Sequence, residues 1–379
     1  MTTKLKIPKI RFKEFSGEWE EEKLNQFAMI NPKNWDLPNK FIYIDLESVE
    51  KWILKKENTL FSKNAPSRAQ RILNNNDILF QTVRPYQKNN FFFKKEWDYV
   101  ASTWYAQIRK EKNNEYLFHF LHNEKFVSKV LLRCTWTSYP AINSSDLGDI
   151  KISFPKDSEQ LKIASFLSSV DEKIKIIKEK KKNLEDYKKW VMQKIFSRKL
   201  RFKDENWEEY EKWEEKELEE LIIKQQKTNR LSSEWKEIWL YTFFNNSTKA
   251  SDKFINEFDY DWEMIIANTW WEAYFDYYIW KFWAMSDCFV FTTNENVKFL
   301  YFFLKTEQEK INQVWFTGSW IKHLNKDYFW KIKIKLPPLK EQEKIADFLS
   351  GIDEKIEKVG DVLEKIEEFK KGLLQSMFI

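Results

Sequence analysis

The sequence predicts a mixed α+β fold: two strand-rich α/β domains separated by two long helices that form an antiparallel coiled coil. An internal repeat, a heptad pattern in two places and short runs of β-branched and aromatic residues lead there. Residues 159–177 read EQLKIASFLSSVDEKIKII and residues 341–359 read EQEKIADFLSGIDEKIEKV; twelve of nineteen positions are identical at a constant spacing of 182. The same spacing pairs Tyr187-Lys188-Lys189 with Phe369-Lys370-Lys371, and KISFP at 151–155 with KIKLP at 333–337. Upstream, Arg11-Phe12-Lys13 echoes Arg201-Phe202-Lys203, and Trp19-Glu20-Glu21 with Leu24 echoes Trp213-Glu214-Glu215 with Leu218. The chain is a tandem of two units, each a mixed region followed by a helical one.

In chain order, residues 1–156 form the first mixed domain. FIYIDLESV (41–49), DILFQTV (77–83), DYVAST (98–103) and IKISF (150–154) read as strands bounded by Asn, Pro and Asp, and 116–131 as a helix among them. Residues 157–198 form the central helix. It starts after Phe154-Pro155, with Asp157-Ser158 as its expected cap, and carries Leu161, Ala164, Leu167, Val170, Ile174, Ile177, Leu184, Val191 and Ile195. Residues 199–338 repeat the mixed order, with strands at 263–269, 287–293 and 331–336 and a helix at about 297–314. Residues 339–379 form the C-terminal helix, with Ile345, Leu349, Ile352, Ile356, Val359, Leu363, Ile366 and Leu373. Alternating steps of three and four are coiled-coil spacing, and a helix of ~40 residues is ~60 Å long. Two such helices in one chain suggest intramolecular pairing, the alternative being that each packs on its own domain.

A chain of 379 residues can bury more than one core, and 42% hydrophobic with 32% charged residues suits a water-soluble protein with long exposed helices. No apolar run approaches the ~18 residues of a membrane span, and MTTKLKIPKIRFKEF lacks the apolar core of a secretory signal. Cys134 and Cys288 are far apart and in no paired ligand motif, so a reducing cytoplasm is expected. The net charge of +5 permits nucleic-acid binding without demanding it.

Glycine and tryptophan usage is abnormal, at six and nineteen residues. In the repeat, Trp136 faces Gly318, Trp330 faces Gly148 and Trp190 faces Gly372; Trp207, Trp262 and Trp270-Trp271 occupy stretches where a turn wants glycine. Only Trp19 and Trp213 pair with each other. Counting the other seventeen as glycine gives 23 glycines, an ordinary fraction. The expectation is a gene from a lineage that reads UGA as glycine, written out with UGA as tryptophan.

No catalytic or metal constellation is visible. His119 and His122 lie on the helix predicted at 116–131, with no cysteine or carboxylate cluster at ligand spacing, and read as core or surface residues; His323 stands alone. There is no G-x-S-x-G elbow and no Asn-Pro-Pro-aromatic motif, and 315–322 read with glycines lacks the Gly-Lys-Ser/Thr ending of a phosphate loop. What remains is a set of polar and cationic residues at strand ends: Arg68, Arg71, Gln81, Thr82, Arg84, Tyr86, Lys88, Arg133, Thr135, Thr137 and Ser138, with Asn268, Thr269, Thr317, Ser319 and Lys322 at the corresponding places of the second repeat. Arginine suits guanine edges, amides suit adenine edges and lysine suits phosphates, so this set is the candidate DNA interface.

Taken together, E-Q-x-K-I-A-x-F-L-S-x-x-D-E-K-I twice on long helices, P-L-K-E-Q-E-K-I-A at 338–346 and T-x-T-S-Y-P-A-I at 135–142 resemble the specificity subunits of type I restriction–modification systems, over essentially the whole chain. The resemblance implies that 1–156 and 199–338 are target recognition domains reading a split double-stranded DNA site, held apart by the helices. It implies methyltransferase subunits docking on the helices, and ATP-dependent restriction subunits in the full complex. S-adenosylmethionine, ATP and Mg would then belong to the partners, this chain holding no cofactor or metal and doing no catalysis itself. The competing expectation is a non-catalytic coiled-coil adaptor without sequence-selective DNA binding.

Overall fold

The computed structural model describes residues 6–33, 36–135, 139–226, 241–244, 254–255, 258–268, 272–285, 288–314, 316–317 and 323–379. Among them the helices are α1 (Leu24–Phe27), α2 (Asn114–Phe120), α3 (Glu124–Leu131), α4 (Ser144–Gly148), α5 (Asp157–Phe196), α6 (Leu218–Leu221), α7 (Val297–Val314), α8 (Lys326–Trp330) and α9 (Leu339–Ser376). The chain forms two compact units, Met1–Ile177 with Val362–Ile379, and Lys178–Asp361.

In the first unit, strand Glu20–Lys23 pairs antiparallel with Lys151–Phe154, joining the start of the mixed region to its end. Strand Ile78–Gln81 lies between Phe91–Phe92 and Tyr105–Arg109 in a four-stranded antiparallel sheet. Its unbroken apolar run Ile78-Leu79-Phe80 is explained by burial on both faces. Ile78 and Phe80 enter the core with Leu117, Phe126 and Leu167, whereas Leu79 enters a second core with Phe93, Tyr99 and Tyr105. A second four-stranded sheet holds Lys40–Ile44 parallel to Tyr99–Ser102.

The second unit repeats this plan. Glu214–Glu217 pairs with Lys333–Leu336. Strand Cys288–Thr293 lies between Ile222–Gln226 and Met264–Asn268. Its Phe289 and Phe291 face the core with Leu300 and Leu349, and Val290 faces the core with Met264 and Tyr260. Strand Tyr241–Phe244 runs parallel to Phe282–Ala284.

Two expected elements differ. The helix predicted over 116–131 is two, α2 and α3, because the Asn123 side chain accepts from Phe126 N at 2.9 Å and starts a new helix there. The strand predicted at 41–49 ends at Ile44, where Asp45 Oδ1 takes the backbone N–H groups of Glu47 and Ser48 in a turn. Strand Tyr105–Arg109 is not among the strands that the sequence predicts. Helix α5 already includes Asp157 and Ser158, and the Lys156 carbonyl accepts from Glu159 N and Gln160 N, so the expected cap falls inside the first turn.

The repeated motif has a physical reading at each position. Its glutamate is buried and holds an arginine from the start of its own unit: Arg11 Nε and Nη2 reach Glu159 at 2.8 and 2.7 Å, and Arg201 Nε and Nη2 reach Glu341 at 3.2 and 2.7 Å. Its glutamine donates to the carbonyl of the helix-breaking proline, Gln160 to Pro155 at 2.7 Å and Gln342 to Pro337 at 2.9 Å. Ile163, Ala164 and Leu167, like Ile345, Ala346 and Leu349, are core residues.

The aspartate pairs with the lysine of the aromatic-Lys-Lys element on the other helix. Asp171 meets Lys370 in the first unit and Asp353 meets Lys188, at 2.5 Å, in the second. In the second unit a Cβ placed on Gly360 would stand 3.6 Å from Lys181 Nζ, one heptad back along α5 and one heptad on along α9 from the Lys188–Asp353 pair, so the segments run antiparallel. Of the seam residues, Leu167, Val170, Ile174, Leu349 and Ile352 are buried, and Ile177, Leu184, Ile356, Val359 and Leu363 are half-buried. Leu161 points outward.

Candidate nucleic-acid interface

Strand Ile78–Gln81 ends in a turn whose backbone is left-handed at Arg84 and Lys88, with φ of 54° and 53°. That turn meets the segment after α3: Val83 bridges Ala141, Thr135 bridges Ala141, and Arg84 N donates to the Pro140 carbonyl at 2.8 Å. The bridges bring the clusters around 84 and 135 onto one surface. The Arg84 guanidinium lies 4.3 Å from the ring centre of Tyr139, itself exposed. Ile142 N donates to the Thr82 carbonyl, Thr82 Oγ1 donates to the Trp104 carbonyl, and Arg68 stacks 4.1 Å over the Trp104 ring. Arg68, Thr82, Arg84, Thr135 and Tyr139 are thereby connected.

The remaining candidates sort by what they touch. Gln81 is buried and its amide is engaged locally, donating to the Val83 carbonyl at 2.7 Å and accepting from Asn89 N at 3.1 Å. Thr82 is also buried, whereas Tyr86 is half exposed. Lys88 pairs with Glu124 at 2.5 Å, and Thr135 Oγ1 donates to the Ala141 carbonyl at 3.2 Å. Arg133 is exposed, its Nη1 reaching the Lys129 carbonyl at 3.4 Å. Asn268 and Thr317 lie in strands Met264–Asn268 and Phe316–Thr317, described in their backbone. Thr137, Ser138, Thr269, Ser319 and Lys322 lie outside the described residues.

Arg71 stands apart, on strand Ala69–Ile72 beside a cleft lined by Asn31, Lys33, Asp36, Ser67 and Gln70. Burial lowers its pKa, and its Nε has no hydrogen-bond partner among the described residues. The contrast within the unit is sharp: Arg11 and Arg109 are clamped by Glu159 and Asp77, whereas Arg68, Arg71 and Arg84 form no ion pair among the described residues. Sequence reasoning missed Asn31, Lys33 and Gln70. Gln70, next to Arg71, carried a signal; Asn31 and Lys33 did not, because only the fold brings their loop to that strand.

His119 and His122 are core residues. His122 Nδ1–H donates to the Phe118 carbonyl at 2.6 Å, leaving Nε2 to accept from Asn90 Nδ2 at 3.3 Å, and burial pushes its pKa down to about 3. His119 is lowered too, first by burial and then by Lys370. With the folded pKa below the ordinary value of about 6.5, the unfolded chain takes up the proton first. The stability due to neutral His122 is therefore complete above pH 6.5 and is lost as pH falls toward 3. Going from pH 7 to pH 5 is expected to lower the stability of the first unit by up to about 2 kcal/mol through His122, at roughly 1.4 kcal/mol per pH unit below 6.5, with His119 adding in the same direction. Urea unfolding at both pH values checks this, and an unchanged pH dependence in His122→Gln would assign the loss elsewhere. Among the described residues no group of His, Cys, Asp or Glu is placed to hold a metal ion.

Two copies of one α+β plan, each docked on the long helices and one displaying guanidinium and aromatic groups without carboxylate partners, define the class of fold. A family model described as the type I restriction modification DNA specificity domain matches residues 16–186 and 210–368, and the chain belongs to that family. Over 61 residues, 16% of the chain, it is 41% identical to the type I restriction enzyme MjaVIII specificity subunit of Methanocaldococcus jannaschii. Over 167 residues, 41% of the chain, it is 24% identical to the HindI specificity subunit of Haemophilus influenzae. These matches span 14% and 34% of the relatives' own lengths. The fold is similar to the crystal structure of a type I restriction–modification S subunit from M. genitalium, with TM-score 0.65 and 15% identity over 98% of this chain and 99% of that one. It is also similar to a chain solved in work on complex assembly and conformational transition of the type I system, with TM-score 0.59 and 17% identity over 94% and 96%.

Proposed function

We propose that this chain is the DNA-recognition subunit of a type I restriction–modification assembly, each repeat reading one half of a two-part duplex site. The observation that carries the reading is the set Arg68, Arg71 and Arg84: three guanidinium groups without carboxylate partners among the described residues, with Arg84 lying over the ring of Tyr139. A stacked guanidinium keeps its donor edge free and oriented, which suits the acceptor edge of guanine or a phosphate. The half-buried Arg71 loses water without gaining an acid, so an anion or a base edge in the adjacent cleft is the group that completes it. Methyltransferase and restriction subunits are the proposed partners; S-adenosylmethionine, ATP and Mg bind to them, and this chain does no chemistry. No helix among the described residues is long and apolar enough to cross a membrane, which suits a cytoplasmic assembly.

The test is site selection from a random duplex pool by the chain together with its methyltransferase. A split consensus is expected. Arg84→Ala and Arg71→Ala are each expected to weaken binding by about 1–3 kcal/mol. A loss confined to one base position marks a base contact, and a uniform loss with a shallower salt dependence marks a phosphate contact. A pool that emerges without any enriched sequence, while the partner still binds, would instead make the chain an adaptor.

A further inference from the structure

The two repeats can be compared position by position, and the comparison isolates the tryptophans. Arg11 and Arg201 make the same anchor to a buried glutamate, and the chain after each wraps back onto its arginine: Arg11 Nη1 donates to the Gly17 carbonyl at 2.5 Å, and Arg201 Nη2 to the Glu211 carbonyl at 2.8 Å. The fourth residue past Arg-Phe-Lys is Gly17 in one repeat and Trp207 in the other. Both are left-handed, at φ +85° and φ +65°. Trp207 is 81% exposed, so burial of its indole offsets little of the backbone strain there.

A second slot is crowded rather than twisted. Helices α4 and α8 both begin after an asparagine cap, Asn143 and Asn325, and end at Gly148 and Trp330. A Cβ on Gly148 would stand 3.0 Å from Asn25 Cβ of α1, a tight contact at which the neighbour must give by a few tenths of an ångström. The equivalent position of the second repeat carries the largest side chain.

A third slot is the two-residue hairpin between Val49–Glu50 and Ile53–Leu54, whose central residues Lys51 and Trp52 have φ of 46° and 70°. Such a connection is a primed turn, and glycine dominates its second central position. The Trp52 indole does donate to the Lys88 carbonyl at 2.8 Å, yet the backbone beneath it is in the region glycine enters freely. Trp19 and Trp213 behave differently. They are equivalent to each other, stand just ahead of the strands Glu20–Lys23 and Glu214–Glu217, and Trp213 Nε1 donates to Glu341 at 3.0 Å.

We propose that the seventeen tryptophans other than Trp19 and Trp213 are glycine in the protein as its own cell makes it, each encoded by UGA read as glycine. UGA differs from the glycine codon GGA by one base, whereas tryptophan proper is UGG. The gene should therefore carry UGG at positions 19 and 213 and UGA at the other seventeen. Translated by a standard-code extract, the unaltered gene should stop after residue 34, because Trp35 is the first of the set. Mass spectrometry of the chain from its native cells should find glycine masses in the peptides spanning 207 and 330, and tryptophan masses in those spanning 19 and 213. Full-length product from the standard-code extract, UGG codons throughout, or native peptides with tryptophan at 207 and 330 would each overturn the proposal.

Discussion

Arg201→Ala is expected to destabilise the second unit by about 3–5 kcal/mol, the cost of leaving a buried charge without its partner. Glu341 is fully buried and takes both the Nε and Nη2 bonds of Arg201, with Trp213 Nε1 as its other donor. Removing the guanidinium leaves one neutral N–H to hold a carboxylate that water cannot reach. Arg11→Ala should act equally on the first unit, where Glu159 is 2% exposed. Urea unfolding of the full chain, with hydrogen exchange to assign each transition, checks both. Exchanging both partners of a pair for leucines should recover much of the loss, since two matched apolar groups leave no charge stranded. A cost below about 1 kcal/mol for either alanine variant would place the pair among ordinary surface bridges.

Truncating Leu167 or Leu349 to alanine should cost about 2–5 kcal/mol each, because both side chains are fully buried and each would leave a cavity. The same change at Leu184, half-buried, should cost clearly less. The contrast tests whether the helix ends belong to the cores of the two units while the middle of α5 is a two-helix seam. Equal losses at all three leucines would remove that distinction.

Much of the fold was legible because it follows from short-range patterns. The helix α7 fell at 297–314 as read, since its apolar residues recur at helical spacing, and the paired strands at 151–154 and 333–336 were visible through the repeat. Strand Tyr105–Arg109 was not, because polar Gln107 and Arg109 interrupt its apolar residues. Each is held by Asp77, the Gln107 amide at 2.7 Å and the Arg109 guanidinium at 2.7 and 2.8 Å, so the polar groups suit an interior that only the folded sheet supplies. The break between α2 and α3 was missed for a local reason: apolar residues run through it, and the cap at Asn123 outweighs them.

The candidate interface divides in the same way. Arginine, glutamine and threonine at strand ends could be named from their chemistry, but chemistry alone could not separate Gln81 from Arg84. The difference is tertiary. Gln81 is consumed by the turn that follows it, whereas the bridges of Val83 and Thr135 to Ala141 bring Tyr139 against Arg84, which forms no ion pair among the described residues.

By itself the sequence determined the tandem architecture, the heptad helices and the family, because repetition and periodicity are properties of residue order. Only the tertiary structure decided why the motif residues are what they are. Glu159 and Glu341 are needed because a buried carboxylate requires its arginine, and Asp171 and Asp353 because each meets a lysine of the other helix. In the second unit the distances are short enough to name every atom of that pair, Lys188 Nζ lying 2.5 and 2.6 Å from the two Asp353 oxygens. A pairing between residues so distant in the chain exists only after folding has brought the helices side by side.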